Sequence, residues 1–557
     1  MVRIFLCSLL LMTSTAHAAW LHLCPASQGF AGMPEALLTR PDGTAARLIV
    51  NEQAGIPGCH SLPLPADVRQ IEAVYPLPRQ SAPGDTILLQ GALKQGRFAV
   101  GGVTLPATRP GPALPGPMPL RANLLTAMRV RDFGVEERVH SRIRDGQLHL
   151  ECGAGSRPAG VILTGPWYMP RADALLQASF SGAGTFEWLA ADTQHAATES
   201  GTGMGRIVAR SRAQTARMDL PRDLRRAGWR RFVIVCPREQ ASLRLDSLQL
   251  EPDASRAAPR ATWVWNARDW QQHPASLLDW AHGQGVGDLF ITVPVENGAV
   301  RDAAALAGFV RQASAHGIGV WTADGDPRMV LPAEHAATIR RARAYAAYNA
   351  QADAAQRLRG IQFDIEPYLL PGYEMAAAEW DRRYLELARA LRKVAKAMQL
   401  EFVMPYWWAD KPGLLHALAP LTDGLAIMDY RTDPQEIYRF AVPFLDWAAA
   451  YGKRVRIALE AGPVAPETQR RYTRAGKGAA GELLVVRLEG CLVLVLLKEA
   501  SAHPDAEAFR LAGSMLFDGS ATSFHADKPA LERLLPRLER ELGAWSGFGG
   551  IALHEFR

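Results

Sequence analysis

The sequence has little cysteine and none of the motifs that usually mark a metal site. Six of its 557 residues are cysteines, and neither a Cys-x-x-Cys pair nor a His-Glu-x-x-His motif occurs. We therefore expect no metal ion and no cofactor. The formal charge of +6 is spread along the chain without a dense run of lysine or arginine, so we expect no nucleic-acid partner.

Long hydrophobic runs are also missing. The apolar stretch 492–497 is too short to cross a bilayer and is typical of a buried strand. The N-terminus has the order of a signal peptide: Arg3, an apolar segment over 4–12, and a small-x-small cleavage site ending at Ala18. We predict a signal peptide over 1–18, no transmembrane segment after its removal, and an exported protein that is periplasmic or extracellular.

Export would permit disulfide bonds. Cys7 lies in the predicted signal peptide. Of the others, Cys24 with Cys59 and Cys152 with Cys236 each fall within one predicted domain, which leaves Cys491 alone. These four residues are the disulfide candidates, although spacing alone does not fix the pairing.

The chain is longer than the roughly 250–300 residues at which a single core stops growing. We predict a multidomain protein in which two N-terminal β-rich domains, the second a β-sandwich or jelly roll, precede a C-terminal (β/α)8 TIM barrel. The predicted boundaries are a small β-rich domain over 19–105, a Pro/Gly linker over 106–119, the sandwich over 120–252, a linker over 253–260 and the barrel over 261–557. The segment 242–252 resembles the closing strand of carbohydrate-binding jelly rolls.

The barrel prediction rests on eight short apolar segments that alternate with helix-like segments from residue 261 onward. Such alternation is typical of parallel βαβ units, and eight units close a barrel. The long stretch 461–547 between the seventh and eighth strands predicts an insertion that contains a hairpin turning at Glu489-Gly490. Long loops of this kind usually decorate the active face of a barrel.

Carboxylates follow several predicted strands, at the barrel end where catalytic groups normally lie. Asp364 and Glu366 follow the fourth strand and, two residues apart, share one of its faces. Two carboxylates so close disfavour double ionisation, so the pKa of one should rise. We predict Glu366 as a proton donor for glycosidic cleavage and Asp364 as the group that orients it. The alternative is a structural ion pair closed by Arg431 or Arg359.

Aromatic and polar residues at the same end suit a sugar ligand, because the C–H faces of sugar rings stack on aromatic side chains. Trp407 and Trp408 are adjacent in sequence, so only one of them can reach the mouth. Trp263 and Trp265 share a side of the first strand and could form the floor. The predicted substrate-binding residues are Tyr368, Tyr406, Trp407, Trp408, Trp263, Trp265, Arg431, His554 and Glu555.

This half of the chain, 261–557, resembles the family 18 glycoside hydrolases, the chitinase family. Asp364-x-Glu366 matches the end of that family's DxxDxDxE motif, and Met428, Asp429 and Tyr430 match its Met-x-Tyr element. The resemblance implies that Asp364 and Tyr430 position an N-acetyl group as the nucleophile. Arg359 and Gln362 stand where the motif has aspartates, and Arg431 replaces the acid or amide after the tyrosine. These departures leave the N-acetyl requirement open.

A second interpretation uses different partners. Glu366-Pro367 on strand four and Glu460 on strand seven fit the acid and nucleophile of the large retaining clan of barrel glycosidases, although Ile365 stands where that clan has Asn. Glu460 could equally fix a loop. We therefore predict Glu366, Asp364, Glu460, Tyr430 and Asp429 as catalytic candidates.

The predicted function is that of a secreted or periplasmic glycoside hydrolase that acts on a cell-envelope or extracellular polysaccharide by carboxylate acid/base catalysis. The alternative is a non-catalytic polysaccharide-binding or scaffold protein with an eroded glycosidase barrel. The partner expected in both cases is a polysaccharide or oligosaccharide. The oligomeric state stays open.

Overall fold

The computed structural model describes residues 19–24, 35–39, 45–51, 60–64, 71–78, 81–94, 97–105, 115–134, 138–192, 202–220, 228–253, 255–370, 373, 377–488 and 491–557. The predicted signal peptide, Cys59 and the hairpin turn at Glu489-Gly490 lie outside these residues. None of the helices in the described ranges is long and apolar enough to cross a membrane.

The N-terminal strands belong to two different sheets. The first is a four-stranded antiparallel sheet in the order β2-β3-β1-β4. It consists of β1 (Ala19–Cys24), β2 (Glu35–Thr39), β3 (Ala45–Asn51) and β4 (His60–Leu64). The next strands, β5 (Ile71–Pro78), β6 (Thr86–Lys94) and β7 (Arg97–Thr104), join a sheet that is completed much later in the chain.

Ten strands between residues 116 and 252 form one continuous sheet that folds around a core. The long β13 pairs with β17 through its first half and with β16 through its second half, so it connects the two faces. Cys152 and Cys236, one of the two candidate pairs, form a disulfide. The strands are β8 (Gly116–Pro117), β9 (Arg129–Phe133), β10 (Val139–Arg144), β11 (Gln147–Cys152), β12 (Gly160–Met169), β13 (Ala174–Asp192), β14 (Thr202–Ala209), β15 (Gln214–Asp219), β16 (Gly228–Val235) and β17 (Ala241–Pro252).

The C-terminal region contains a closed barrel of eight parallel strands. These are β18 (Arg260–Val264), β19 (Val286–Ile291), β22 (Gly319–Gly325), β23 (Gly360–Asp364), β24 (Gln399–Pro405), β25 (Gly424–Met428), β26 (Arg454–Glu460) and β31 (Phe548–His554). A short hairpin of β20 (Val295–Glu296) and β21 (Ala299–Val300) follows β19. Side chains alternate along each strand between the barrel interior and the outer core.

Eight helices surround this barrel within the described residues. They are α1 (Ala267–Gln272), α2 (Pro274–Gly283), α3 (Ala303–Ala315), α4 (Pro332–Gln351), α5 (Ala377–Val394), α6 (Pro412–Leu418), α7 (Pro434–Tyr451) and α8 (Lys528–Leu542). The bounds of α7 follow from its sequence. The Asp433 carboxylate accepts from the Gln435 and Glu436 amides, and Pro434 occupies the first helical position. Gly452, at φ 62°, ends the helix.

The insertion between β26 and β31 completes the second N-terminal sheet. It contributes β27 (Glu467–Arg474), β28 (Gly481–Leu488), β29 (Cys491–Ser501) and β30 (Ala506–Phe517), and the sheet order is β5-β29-β28-β30-β27-β6-β7. Its two halves are joined by side chains as well as backbone. Arg470 forms an ion pair with Glu72 at 2.7 Å, and its guanidinium lies 4.3 Å from the centre of the Phe98 ring.

The predicted fold class, two N-terminal β-rich domains followed by a (β/α)8 TIM barrel, is wrong. The described chain is mostly β-sheet, and its helices do not alternate one for one with the barrel strands. Both α1 and α2 follow β18, and a hairpin of two short strands separates β19 from α3. Strands β5 and β6 of the predicted first front domain pair with strands from the insertion, and β7 pairs with β6. Local patterns predict strands but not partners that lie hundreds of residues away. The domain boundaries themselves stay predictions.

Candidate active site

The barrel interior below the candidate site is filled by a polar network. Asp288 accepts from Arg456 and Arg359, both at 2.7 Å. Arg456 also contacts Glu401 at 3.3 Å. Glu401 then accepts from the Gln362 amide at 2.8 Å, and Gln362 accepts from the indole of Trp263 at 2.6 Å. These buried polar groups are satisfied by one another, as buried charges must be. The network fixes Trp263 as the floor of the site.

Asp364 and Glu366 lie directly above this floor. On β23 the neighbouring residues Ile361, Phe363 and Ile365 belong to the outer core, so Gln362, Asp364 and Glu366 face the interior. Tyr368 lies on the following 3-10 turn, and its hydroxyl donates to Oε1 of Glu366. The Asp364 Oδ1 atom is buried and has no hydrogen-bond partner among the described residues. The two carboxyl groups are therefore close together, but only Glu366 is held by a neighbour.

Burial controls the electrostatics of this pair. It raises the pKa of Asp364 to about 7, and the charge of Glu366 adds to the rise while His554 opposes it. Burial also raises the pKa of Glu366 against the opposing effects of the Tyr368 hydroxyl and His554. A carboxyl pair that shares a proton near neutral pH is the state that a general acid requires.

A histidine and a third carboxylate complete the site. The Nδ1 atom of His554, on β31, lies 2.7 Å from Oε2 of Glu460 on the adjacent β26. The other Glu460 oxygen accepts from the Gly462 amide at 2.6 Å. On the other side of the imidazole ring, Nε2 of His554 accepts from the indole N–H of Trp265 at 3.0 Å. Glu460 thus has both oxygens engaged and orients His554.

Opposing interactions act on the charge of His554. Burial lowers its pKa, but the hydrogen bond and the charge of Glu460, helped by Glu555 and Asp364, leave the pKa raised overall. The Trp265 indole acts in the other direction, because it can donate only to an unprotonated Nε2. His554 therefore stands beside the carboxyl pair as a titratable group whose charge Trp265 restrains.

The residues after β25 point in different directions. Ala426, Met428 and Tyr430 belong to the interior cluster, and the Tyr430 ring stacks on His554 with centroids 6.0 Å apart. Asp429 faces the other way and is fully buried. Burial raises the pKa of Asp429 well above its usual value, with Glu436 adding to the rise and Arg431 opposing it. Tyr430 therefore belongs to the site and Asp429 does not.

The predicted aromatic binders divide in the same manner. Trp407 is 45% exposed and packs edge-on against Tyr368 at 5.2 Å and Tyr406 at 5.1 Å. Trp408 is buried, with its ring 5.4 Å from that of Tyr384. The structure thus leaves Trp407 free to stack on a sugar at the rim.

The two arginines of the alternative interpretation are engaged elsewhere. Arg431 donates to the Tyr406 hydroxyl, forms an ion pair with Glu436 at 3.6 Å, and lies 4.7 Å from the Tyr406 ring centre. Arg359 is bound to Asp288. The contacts of these two arginines give no support to a structural ion pair with Asp364 and Glu366.

The backbone conformation of Glu555 and its close approach to Gly462 were not predicted. Glu555 is exposed and adopts a φ of 51°, a left-handed conformation that is uncommon for residues other than glycine. It packs against Gly462, where a Cβ atom would lie 2.4 Å from the Glu555 Cβ. Only glycine fits at position 462, so the Glu460 loop can approach β31. The Glu-Ala-Gly sequence at 460–462 was the available signal.

No family model matches the chain, and no curated protein does either. Among solved structures, the chain is similar to a mutant of a family 29 carbohydrate-binding module, with 12% identity over 23% of this chain and 81% of that chain and a TM-score of 0.19. It is also similar to the CBM22-1–GH10 modules of an endo-1,4-beta-D-xylanase from Clostridium thermocellum in complex with xylohexaose. That match has 10% identity over 60% of this chain and 80% of that chain, with a TM-score of 0.26. Likenesses at these TM-scores do not decide the function, which must be argued from the site.

Proposed function

We propose that the protein is a glycoside hydrolase that cleaves a cell-envelope or extracellular polysaccharide. One observation carries this proposal: Asp364, Glu366, Tyr430, His554 and Glu460 come together at the C-terminal end of one barrel. Enzymes built on parallel barrels place their catalytic groups at that end. The indoles of Trp263 and Trp265 below and of Trp407 at the rim offer apolar faces for sugar rings.

In this mechanism the carboxyl pair enters the reaction with one proton. Glu366 lies nearer the strand end and delivers the proton to the leaving glycosidic oxygen, and Asp364 orients Glu366. The water that completes the hydrolysis returns a proton to the pair. The Tyr368 hydroxyl orients Glu366. Tyr430, stacked on His554, is placed to donate a hydrogen bond to the substrate, because burial and the nearby charges of Glu460, Asp364 and Glu366 keep its pKa well above its usual value and its hydroxyl protonated.

The contacts of Glu460 favour one of the two glycosidase schemes. Each oxygen of Glu460 has a partner within the protein, the Gly462 amide for one and the His554 ring for the other. This supports an orienting role and weighs against double displacement by Glu460. The scheme of the resembled family 18 hydrolases, in which the substrate supplies the nucleophile, therefore fits the geometry better.

The test is release of reducing ends from a panel of chitin-like, β-glucan and amino-sugar polymers. Glu366→Gln should lower turnover by about 10²–10⁴-fold while polymer binding survives, because the amide keeps the shape but cannot donate the carboxyl proton. Glu532→Gln, on the exposed outer side of α8, is the matched control and should behave as wild type.

A binding-only protein is the second candidate. Arg359 and Gln362 occupy two aspartate positions of the resembled motif. Both are bound within the protein, where Arg359 donates to Asp288 and Gln362 donates to Glu401, which supports this candidate. If the wild type binds a polymer without cleaving any, and Glu366→Gln changes nothing, this candidate replaces the hydrolase.

We also propose that the protein is exported and begins near Ala19. The Cys152–Cys236 disulfide supports this proposal, because such bonds persist in oxidising compartments. N-terminal sequencing of the protein recovered from outside the cytoplasm should start at or close to Ala19, whereas a cytosolic protein that retains Met1 would overturn the proposal.

A further inference from the structure

Half of strand β30 has a partner on one side only. β30 pairs with β27 through Phe517, but its pairing with β28 covers only Ala506–Phe509. Within the part of the chain that the structure describes, residues 510–517 therefore form a sheet edge. The side chain of Glu482 accepts from the Leu511 amide at 3.0 Å, and beyond that point β28 has ended.

This edge is unusually apolar and exposed. The exposed fractions are 44% for Leu511, 60% for Met515, 68% for Leu516 and 39% for Phe517. Proteins normally protect such edges with charged residues or proline, because an uncovered strand pairs with another strand. The segment 511–517 contains neither a charged residue nor a proline.

Two charged residues of opposite sign, Arg510 and Asp518, lie at the two ends of this sheet edge. Nε of Arg510 donates to the Ala480 carbonyl, and Oδ1 of Asp518 accepts from the Ser520 amide. The Asp518 carboxylate also interacts with the Ser520 hydroxyl, and its exposed side keeps its charge open to solvent. Both side chains are exposed.

We propose that two copies of this chain associate by antiparallel pairing of β30 over residues 510–518. A twofold axis through Ser514 places Arg510 opposite the partner's Asp518, twice, and Leu511 opposite the partner's Phe517. The pairing covers the apolar edge and continues the seven-stranded sheet into the second copy. Charge complementarity selects a second copy over other occupants, because the sequence is complementary to itself in this register.

The interface lies close to the candidate active site. The chain runs from Phe517 to Ser523, whose hydroxyl donates to the Gly462 carbonyl at 2.5 Å. On the way, the Ser520 carbonyl accepts from the Thr432 hydroxyl at 2.9 Å. Dimerisation therefore steadies the segment that borders Glu460, without depending on whether the site is catalytic.

The test is the mass of the full chain in solution by light scattering and sedimentation over a wide range of concentration. The wild type should reach twice the mass of the chain. Leu516→Lys should remain monomeric, since lysine protects an edge strand. Arg510→Asp and Asp518→Arg should each weaken the dimer by about tenfold, because each variant loses two symmetric ion pairs. The double variant should recover most of that loss.

Arg212→Asp, at an exposed position of the sandwich region, is the control and should leave the dimer unchanged. Circular dichroism melts show whether each variant is folded, and the charge exchange stays informative if Leu516→Lys is not. A wild type that is monomeric at every concentration overturns the proposal. So does a dimer that persists in Leu516→Lys and in both charge variants, because its interface then lies elsewhere.

Discussion

At the scale of single residues, the candidate site combines three carboxylates with different partners. Asp364 has a buried oxygen without a hydrogen-bond partner in the described part of the chain, Glu366 accepts from Tyr368, and Glu460 has a partner on each oxygen. The three carboxylates look alike in the sequence, but their hydrogen-bond partners distinguish them. In the proposed function Glu366 is the acid, Asp364 orients it, and Glu460 orients His554.

The charge of His554 should shift the upper pH limit of activity, which the carboxyl pair sets. Its positive charge lowers the pKa of Asp364 and of Glu366, and the groups that face it are Glu460, Glu555, Asp364, Glu366, Tyr430 and Trp265. Trp265→Phe removes the indole donor, favours the protonated imidazole, and should move the basic limb of the kcat/KM profile to lower pH. His554→Gln removes the charge and should move that limb to higher pH.

Profiles measured with one soluble oligosaccharide check this pair of shifts. A result in which both variants move the limb in the same direction, or neither moves it, contradicts the role given to Trp265. Melting temperatures of both variants show whether a rate change reflects folding instead.

Period-two alternation on β23 was readable from the sequence, because side chains of a strand alternate whatever its partners are. The outward direction of Asp429 was not readable, because the register at the end of β25 was left open between the two faces. The hydrogen bonds of Glu460 depend on Gly462 and His554, which lie on different elements, so its role could not be chosen from the sequence.

At the scale of elements, α7 connects the barrel to the sandwich region. Oδ1 of Asp446 accepts both from the Arg171 amide and from the Trp545 indole, each at 2.7 Å. Burial raises the pKa of Asp446 to about 6, with those two hydrogen bonds opposing the rise. The carboxyl group therefore holds three parts of the chain together from a buried position.

Asp446→Ala should lower the free energy of unfolding by about 1–3 kcal/mol, because it leaves a buried indole N–H without a partner. Asp446→Asn keeps the accepting oxygen and should cost less. The folded-state pKa of the native carboxyl is raised, so its contribution to stability falls as the pH rises through about 6. Asn should remove that pH dependence.

Denaturant unfolding at two pH values, one on each side of that pKa, measures both effects. Equal losses for the Ala and Asn variants would mean that the two hydrogen bonds contribute nothing. An Asn variant that keeps the wild-type pH dependence would mean that another group causes it.

At the scale of the whole molecule, strands from residues 467–517 share a sheet with strands from residues 71–104. Strand β6 pairs with β27, and β5 pairs with β29. The apolar stretch 492–497 predicts a buried strand at β29, but antiparallel partners separated by most of the chain leave no local signal. In the closed parallel barrel, neighbouring strands mostly follow one another along the chain, except that β18 pairs with β31 to close it.

This topology makes a prediction about limited proteolysis. Cleavage within the predicted Pro/Gly linker 106–119 should not release residues 71–104, because they share a sheet with 467–517. Under native conditions the two fragments should elute together, and only denaturant should separate them. Free elution of the N-terminal fragment without denaturant would contradict the seven-stranded sheet. Arg470→Ala, which loses the ion pair with Glu72, should make separation easier.

The proposed function requires that Asp364 and Glu366 share one proton near neutral pH. The pH dependence of kcat/KM for Asp364→Asn against wild type tests it most directly. Loss of the pair's last proton should end activity near pH 7 in the wild type, where the pKa of Asp364 is raised to about 7. Without a second carboxylate to repel its charge, Glu366 should lose its proton more readily, and the basic limb should move to lower pH. An unchanged basic limb in Asp364→Asn, with the variant folded and active, would contradict the shared proton.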